Sequence, residues 1–255
     1  MPLYLKDADF IDWRTLKVRR THIEVSPGPE GGLRFPASIP KGVKVLDCRG
    51  RIVTKSFVVG HHHIYSALAR GMPAPRKAPR SFVEILKYVW WNLDKKLDLD
   101  MVRASALACG VEAARCGTTF IIDHHASPNA APGSLHAIAE ALEAVGLSHL
   151  LCYELSARDG KKRWREGLAE TEAYLSARQG LMGLHASFTV DDEVLSAARA
   201  AAERHGTGFH VHVAEDPCDQ EDCLRRYGKR VIGRFHEAGL LESPKTILAH
   251  CLHLD

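Results

Sequence analysis

The sequence predicts an α/β fold: about six βα units of a (β/α)8, TIM-like barrel, preceded by a short all-β segment. Two observations predict it. Six apolar runs (Phe57–Val59, Thr118–Ile122, Leu150–Leu155, Leu181–Leu184, Phe209–Val213 and Thr246–Ala249) alternate with helical stretches and read as parallel strands buried on both faces. The polar groups closing these runs, His63, His124, Glu154, His185, His212 and His250, recur after the first gap at intervals of 30, 31, 27 and 38 residues. Eight units sharing a barrel of about 250 residues would take roughly 31 each. A doubly wound open sheet would also line up its strand ends, but no GxGxxG follows the first strand, so the barrel is favoured. A closed barrel needs two further units, and the sequence stops at Asp255 after the sixth run. The expectation is an incomplete barrel, either a fragment or a chain that a partner completes.

Taken in order, residues up to about Val53 give short alternating stretches broken by turn residues. Thr21–Val25 is followed by Ser26, Pro27, Gly28 and Pro29, then by Gly31 and Gly32; Val43 and Val45 precede a charged turn at Arg49–Arg51. This reads as a small antiparallel sheet, and the domains are placed at 1–55 and 56–255. After the first barrel strand, Ser81 and Glu84 form a capping box, and Phe82, Ile85, Leu86, Val89 and Leu93 recur at helical spacing. Further helices fit Ser134–Val145, Arg165–Arg178 and Asp192–His205, the last closed by Gly206. Lys161–Arg165 is a charge run suited to a solvated helix start.

Composition narrows the function classes. Of 255 residues, 45% are apolar and 25% charged, and no run approaches the ~18 apolar residues of a membrane span. A formal charge of +3 from 34 basic and 31 acidic residues is too small to argue for nucleic acid or an anionic membrane. Charges at Lys6, Asp7, Asp9 and Asp12 interrupt any signal-peptide core, and seven dispersed cysteines suit reduced thiols, so a cytoplasmic location is expected. The expected partner is a small-molecule substrate, and a homo-oligomer stays open. Fifteen histidines are the unusual feature.

Three motifs carry chemistry. In GHHHIYS (Gly60–Ser66), His61 and His63 are two apart and point to one side of an extended segment, with His62 facing away. Two neutral imidazoles at one point suit zinc, iron or a similar divalent ion; an isolated HxH is also common as a hydrogen-bonded loop. FHVHVAED (Phe209–Asp216) puts His210 and His212 on one side and Glu215 in the turn beyond. A metal acidifies its bound water to roughly pKa 7, and a carboxylate in reach must carry the proton to the leaving group. His210 is read as a core or supporting histidine, and Glu215 could instead be a helix-start acid. In ILAHCLHLD (Ile247–Asp255), His250 at a strand end can hydrogen-bond a substrate atom that gains charge, and His253 falls in the following loop. IIDHHASP and GLHASF add His124, His125 and His185 to the same rim, His125 and His185 as candidate substrate contacts. Of Trp90 and Trp91, one is read as a core anchor, while Trp91 is the candidate to cover the pocket mouth and select planar substrates. Tyr65 and Ser66 stand nearby without an assigned role.

These motifs, with CGTTFIIDHHASP, resemble in order the active-site motifs of the amidohydrolase superfamily, and within it the aminohydrolases associated with selenium metabolism, relatives of the chlorohydrolases, guanine deaminases and cytosine deaminases. The resemblance implies a metal-dependent barrel with a small β-sandwich, to which residues 1–55 would contribute strands. It implies metal ligands at His61, His63 and His212, a proton shuttle at Glu215 and a substrate-polarising histidine at His250. Binuclear relatives carry a carboxylated lysine where this sequence has His185, which points to one divalent ion, zinc in preference to iron. The sequence departs from the pattern at Lys55 and Ser56, where a Pro-Gly pair is usual, and it lacks the eighth-strand aspartate, which Asp255 does not replace. The implied activity is hydrolysis of non-peptide carbon–nitrogen bonds, the deamination of a small cyclic amidine or aminated heterocycle. The competing expectation is a truncated, metal-binding but inactive polypeptide or one half of an assembly. A cytidine deaminase zinc fold fits poorly, since Cys218 and Cys223 are too far apart for PCxxC, and no HExxH supports a zincin.

Overall fold

The structure is a computed structural model that describes residues 1–28 and 31–254; Pro29 of the expected turn and Asp255 lie outside the described residues. The chain divides into two compact units, Met1–Ser56 and Phe57–Asp255.

In the first unit, β1 (Leu3–Ile11) pairs antiparallel with β2 (Val18–Ser26), which pairs with β3 (Gly32–Arg34); β4 (Val45–Asp47) and β5 (Ile52–Val53) lie parallel to β1. Sequence reading passed over β1 because charges interrupt it. Asp7 adopts a left-handed φ of 55° where the register shifts between Leu5 and Ala8, so the inward alternation restarts at Ala8 and Phe10. Ala8, Phe10, Ile23 and Cys48 form this unit's core.

In the second unit, β6 (Phe57–His62) is followed by a tight turn at Ile64–Ala69 and by α1 (Phe82–Ile85), capped by the Ser81 hydroxyl. The Glu84 carboxylate accepts from the amide of Arg80, one residue short of the expected box. The expected single helix instead widens into a π-helical turn at Leu86–Trp90 and resumes as α2 (Trp91–Asp94). Then come α3 (Leu99–Arg115), β7 (Thr118–His125), α4 (Ser134–Val145), β8 (Ser148–Leu155), α5 (Lys161–Ala177), β9 (Met182–Ala186), α6 (Asp192–His205), β10 (Phe209–Val213), α7 (Pro217–Tyr227), α8 (Val231–Glu237) and β11 (Ile247–His250). The charge run Lys161–Arg165 forms the first turn of α5, earlier than the expected start at Arg165, and Gly206 closes α6 in the left-handed conformation.

The six strands pair in parallel in unbroken chain order from β6 to β11. A doubly wound sheet reverses its strand order at a switch point; this one advances one strand at a time in one direction, as a barrel does. One continuous core joins the strands and helices, from Ile64 and Ile121 through Leu151 and Leu184 to Phe235. The strands also run further than their apolar stretches. His124, Glu154, His185, His212 and His250 lie within the last residues of β7 to β11, and only His63 follows its strand. Ladder bonds are made by the backbone, so polar side chains continue a strand at its C-terminal end without cost to the pairing.

Candidate metal centre and active site

The C-terminal strand ends bring together side chains that the sequence separates by up to 189 residues, from His61 to His250. His61, His63 and His212 offer ligand atoms all within 4.8 Å of one another. His63 donates from Nδ1 to the carbonyl of His124 (2.8 Å), and His212 donates from Nδ1 to the carbonyl of His185 (2.7 Å). A carbonyl only accepts, so in each neutral ring the proton sits on Nδ1 and Nε2 carries a lone pair. Those two Nε2 atoms face each other at 3.1 Å. His61 Nδ1 is engaged by His210 Nε2 (2.8 Å), and its own buried Nε2 has no hydrogen-bond partner. Burial, with neighbouring imidazoles adding to it, holds His61 down to about 3 and keeps His63 and His212 below the usual histidine range. Converging lone pairs on rings kept neutral repel one another unless a cation joins them, so the donor set fits a divalent ion.

A second group, His124, Glu154 and His212, is also close enough to hold an ion. It shares the one free nitrogen of His212. His124 is fully buried, its Nε2 directed at the carbonyls of Leu184 and His210, with Glu154 3.3 Å from its Nδ1. Sequence reading gave Glu154 no task. Its carboxylate is bound at 2.5 Å by Arg158, which also grips Asp94 on α2 at 2.5 Å. Burial would raise the Glu154 pKa, but the surrounding His185, Arg158 and His124 outweigh it and hold the carboxyl well below its usual range.

Glu215 stands two residues beyond the end of β10. Ala214, with a left-handed φ of 47°, breaks the extended backbone there, and its N–H donates to the buried Asp219 carboxylate at 3.0 Å. Such strain persists where surrounding contacts fix it and often marks a working site. Glu215 Oε2 lies 3.5 Å from His250 Nε2, and His250 and Cys251 also have positive φ, 72° and 55°. Burial raises the Glu215 pKa, with His250 opposing.

A cavity of about 370 Å³ opens over this cluster. Its polar side is formed by His61, His63, His212, His185, Glu215 and His250, and its apolar side by Phe82, Leu86, Trp90 and Trp91. Trp91 lies edge-on to His185 at 6.0 Å, and its buried indole N–H has no partner. Trp90 packs on the core, as expected of one of the pair, and it also lines the cavity beside Trp91. His185 shares a 2.5 Å hydrogen bond with Thr189, and burial pushes it down to about 3. His125 is placed elsewhere: fully buried, bonded to Ser127 at 2.9 Å and packed on Tyr65 and Tyr153, it does not line the cavity. His62 does line it, 3.7 Å from Asp123, rather than facing away. His210 is fully buried behind His61, and His253 is exposed.

Sequential parallel strands with imidazoles and a carboxylate gathered at their C-terminal ends define a β/α-barrel protein with a candidate metal centre. The amidohydrolase family model matches residues 52–255, and the chain belongs to that family. It is 30% identical over 172 residues to the 5'-deoxyadenosine deaminase of Methanopyrus kandleri, covering 65% of this chain and 38% of that protein. It is 27% identical over 237 residues to the 5-methylthioadenosine/S-adenosylhomocysteine deaminase of Desulforudis audaxviator, covering 91% and 52%. The chain thus spans about half the length of the curated relatives it matches, or less. Among solved structures, the guanine deaminase of C. acetobutylicum with bound guanine superposes with a TM-score of 0.81 at 15% identity, covering 100% of this chain and 64% of that one. The zinc complex of the atrazine chlorohydrolase of Arthrobacter aurescens TC1 gives 0.77 at 18%, covering 98% and 60%. Among the described residues, no helix is long and apolar enough to cross a membrane.

Proposed function

We propose that this chain carries the centre of a metal-dependent hydrolase of non-peptide carbon–nitrogen bonds, which deaminates a small cyclic amidine or an aminated heterocycle. The observation that carries the reading is the convergence of three Nε2 lone pairs beside Glu215 and His250 in one cavity. His61, His63 and His212 would hold one divalent ion; a single ion is favoured because His212 has one free nitrogen for both candidate groups. Zinc is preferred to iron: imidazole suits both, and a chlorohydrolase of this fold is described with zinc. When bound, the ion supplies a water acidified to near neutrality.

The chain's own groups do the rest. Glu215, whose burial favours the protonated form, would take a proton from the attacking water and return it to the leaving amino nitrogen as the new carbon–oxygen bond replaces the carbon–nitrogen bond. The products are the ring carbonyl compound and ammonia. His250 donates to the oxygen that gains charge. Trp91, with Phe82, Leu86 and Trp90, would form an apolar wall beside a planar ring, and His185 a polar edge. The cavity lies within the roughly 300–1,000 Å³ of small-molecule sites, and the relatives named as adenosine-type deaminases make an aminated purine the first substrate to try. The cysteines are free, which suits the cytoplasm.

The test is Glu215→Gln. Turnover of the aminated heterocycle should fall by about 10²–10⁴-fold or more while zinc content stays at the parent level. Parent-like turnover removes Glu215 from the reaction. Zinc uptake by the purified chain without turnover supports the second reading, a metal-binding but inactive part of a longer protein or assembly, which the chain's share of its relatives' length favours.

A further inference from the structure

We infer that Cys152 and His210 form a hydrogen-bond relay that fixes the tautomer of His61 and turns its Nε2 toward the ion. His210 is then a positioning residue rather than a ligand. The inference rests on the metal-site reading above.

The relay is set from its far end, by the carbonyl of Asp123. Cys152 Sγ lies 3.6 Å from that oxygen, which only accepts, so the S–H donates to it. The sulfur lone pair then faces His210 Nδ1 at 3.7 Å and accepts its N–H. With its proton on Nδ1, a neutral His210 presents a lone pair at Nε2, 2.8 Å from His61 Nδ1. His61 must donate there, which leaves its lone pair on Nε2, the buried atom without a partner. His63 and His212 need no relay because main-chain carbonyls accept from their Nδ1 directly. At His61 side chains supply what the backbone does not, and ligand orientation of this kind tunes affinity.

The neighbouring strand leaves room for the contact. Residue 183 on β9, paired with His210 in the ladder, is glycine, and a Cβ there would stand 3.0 Å from Cys152 Sγ and 2.2 Å from the Tyr153 carbonyl.

The experiment titrates the purified full chain with zinc alone against a chromophoric chelator. His210→Leu should weaken binding by ~10–100-fold. His210→Gln, whose amide oxygen can accept from His61 Nδ1, should recover most of it. Cys152→Val, which can neither donate nor accept, should lose affinity in the same direction, and Cys152→Ser, able to do both, should restore it. In the His210→Leu background, Cys152→Val should add nothing. Circular dichroism confirms that each variant folds, and should His210→Leu not fold, the Cys152 pair decides alone. Folded His210→Leu or Cys152→Val binding zinc like the parent overturns the relay, as does His210→Gln as weak as His210→Leu. A parent chain that takes up no zinc overturns the metal-site reading, and the relay with it.

Discussion

His63 and His212 donate to carbonyls of neighbouring strands, so the ladder itself orients two of the three converging imidazoles. The same economy of parts places Glu215, where one left-handed residue, Ala214, turns the chain out of β10. Trp91 works differently, as part of the cavity's apolar wall. Trp91→Ala should raise KM for an aminated heterocycle about tenfold, the loss of some 1–2 kcal/mol of aromatic contact, with zinc affinity unchanged. Steady-state kinetics beside a zinc titration checks this, and an unchanged KM would take Trp91 off the substrate surface. Much of the cluster was legible because HxH and HxxE spacing at a strand end brings the paired groups to one side or to the turn just beyond, although His62, at the last residue of β6, lines the cavity as well. His124 and His125 were not separable that way. Adjacent strand residues face opposite ways, and only burial among Tyr65, Ser127 and Tyr153 reveals which side His125 takes. The Asp94, Arg158 and Glu154 network was illegible because its members pair across as many as 64 residues with no shared motif.

The elements that sequence reading missed lack contrast rather than propensity. Along α3 the buried face is Val102, Ser105, Ala106 and Gly110, a stripe too small and polar to register as apolar periodicity. It is small because α4 packs close: a Cβ at Gly110 would meet Leu142 and Val145 at 3.3 Å. In α4 the periodicity was plain, yet its start has no side-chain cap, since Gly133 occupies the N-cap position. Buried Glu170 of α5 substitutes from outside, accepting from the amides of Gly133 (2.7 Å) and Leu135 (2.9 Å). Glu170→Ala leaves those two donors without their acceptor and should cost about 1–3 kcal/mol. Denaturant unfolding measures it, and a variant as stable as the parent would mean that water caps the helix equally well.

At the scale of the barrel unit, strand order was legible because alternation of apolar runs with helices admits few topologies, and the unbroken order from β6 to β11 is the barrel's. What no local pattern conveys is how many imidazoles the strand ends compress into one region, and this makes stability depend on pH. In metal-free protein, burial is the largest cause holding His61 at about 3, His125 at about 4, His185 at about 3 and His210 at about 2. Unfolded, each titrates near 6.5. Below that pH the unfolded chain binds more protons than the folded one, so the stability these groups carry is complete above about pH 6.5 and is lost as pH falls toward 3. Asp94, held up to about 7, and Asp219, at about 6, act in the opposite sense, because the folded chain keeps protons there that the unfolded chain releases above about pH 4. His63 and His212, also held below the usual histidine range by burial, act with these four, so the histidines outweigh the carboxyls. Denaturant midpoints in the presence of a chelator should therefore be lower at pH 4.5 than at pH 6.5. Zinc should widen the gap, since protons compete for the same Nε2 atoms. A midpoint that stays level or rises on acidification would mean that the strand-end imidazoles are not held neutral, and the converging lone pairs on which the proposed metal centre rests would lose their basis.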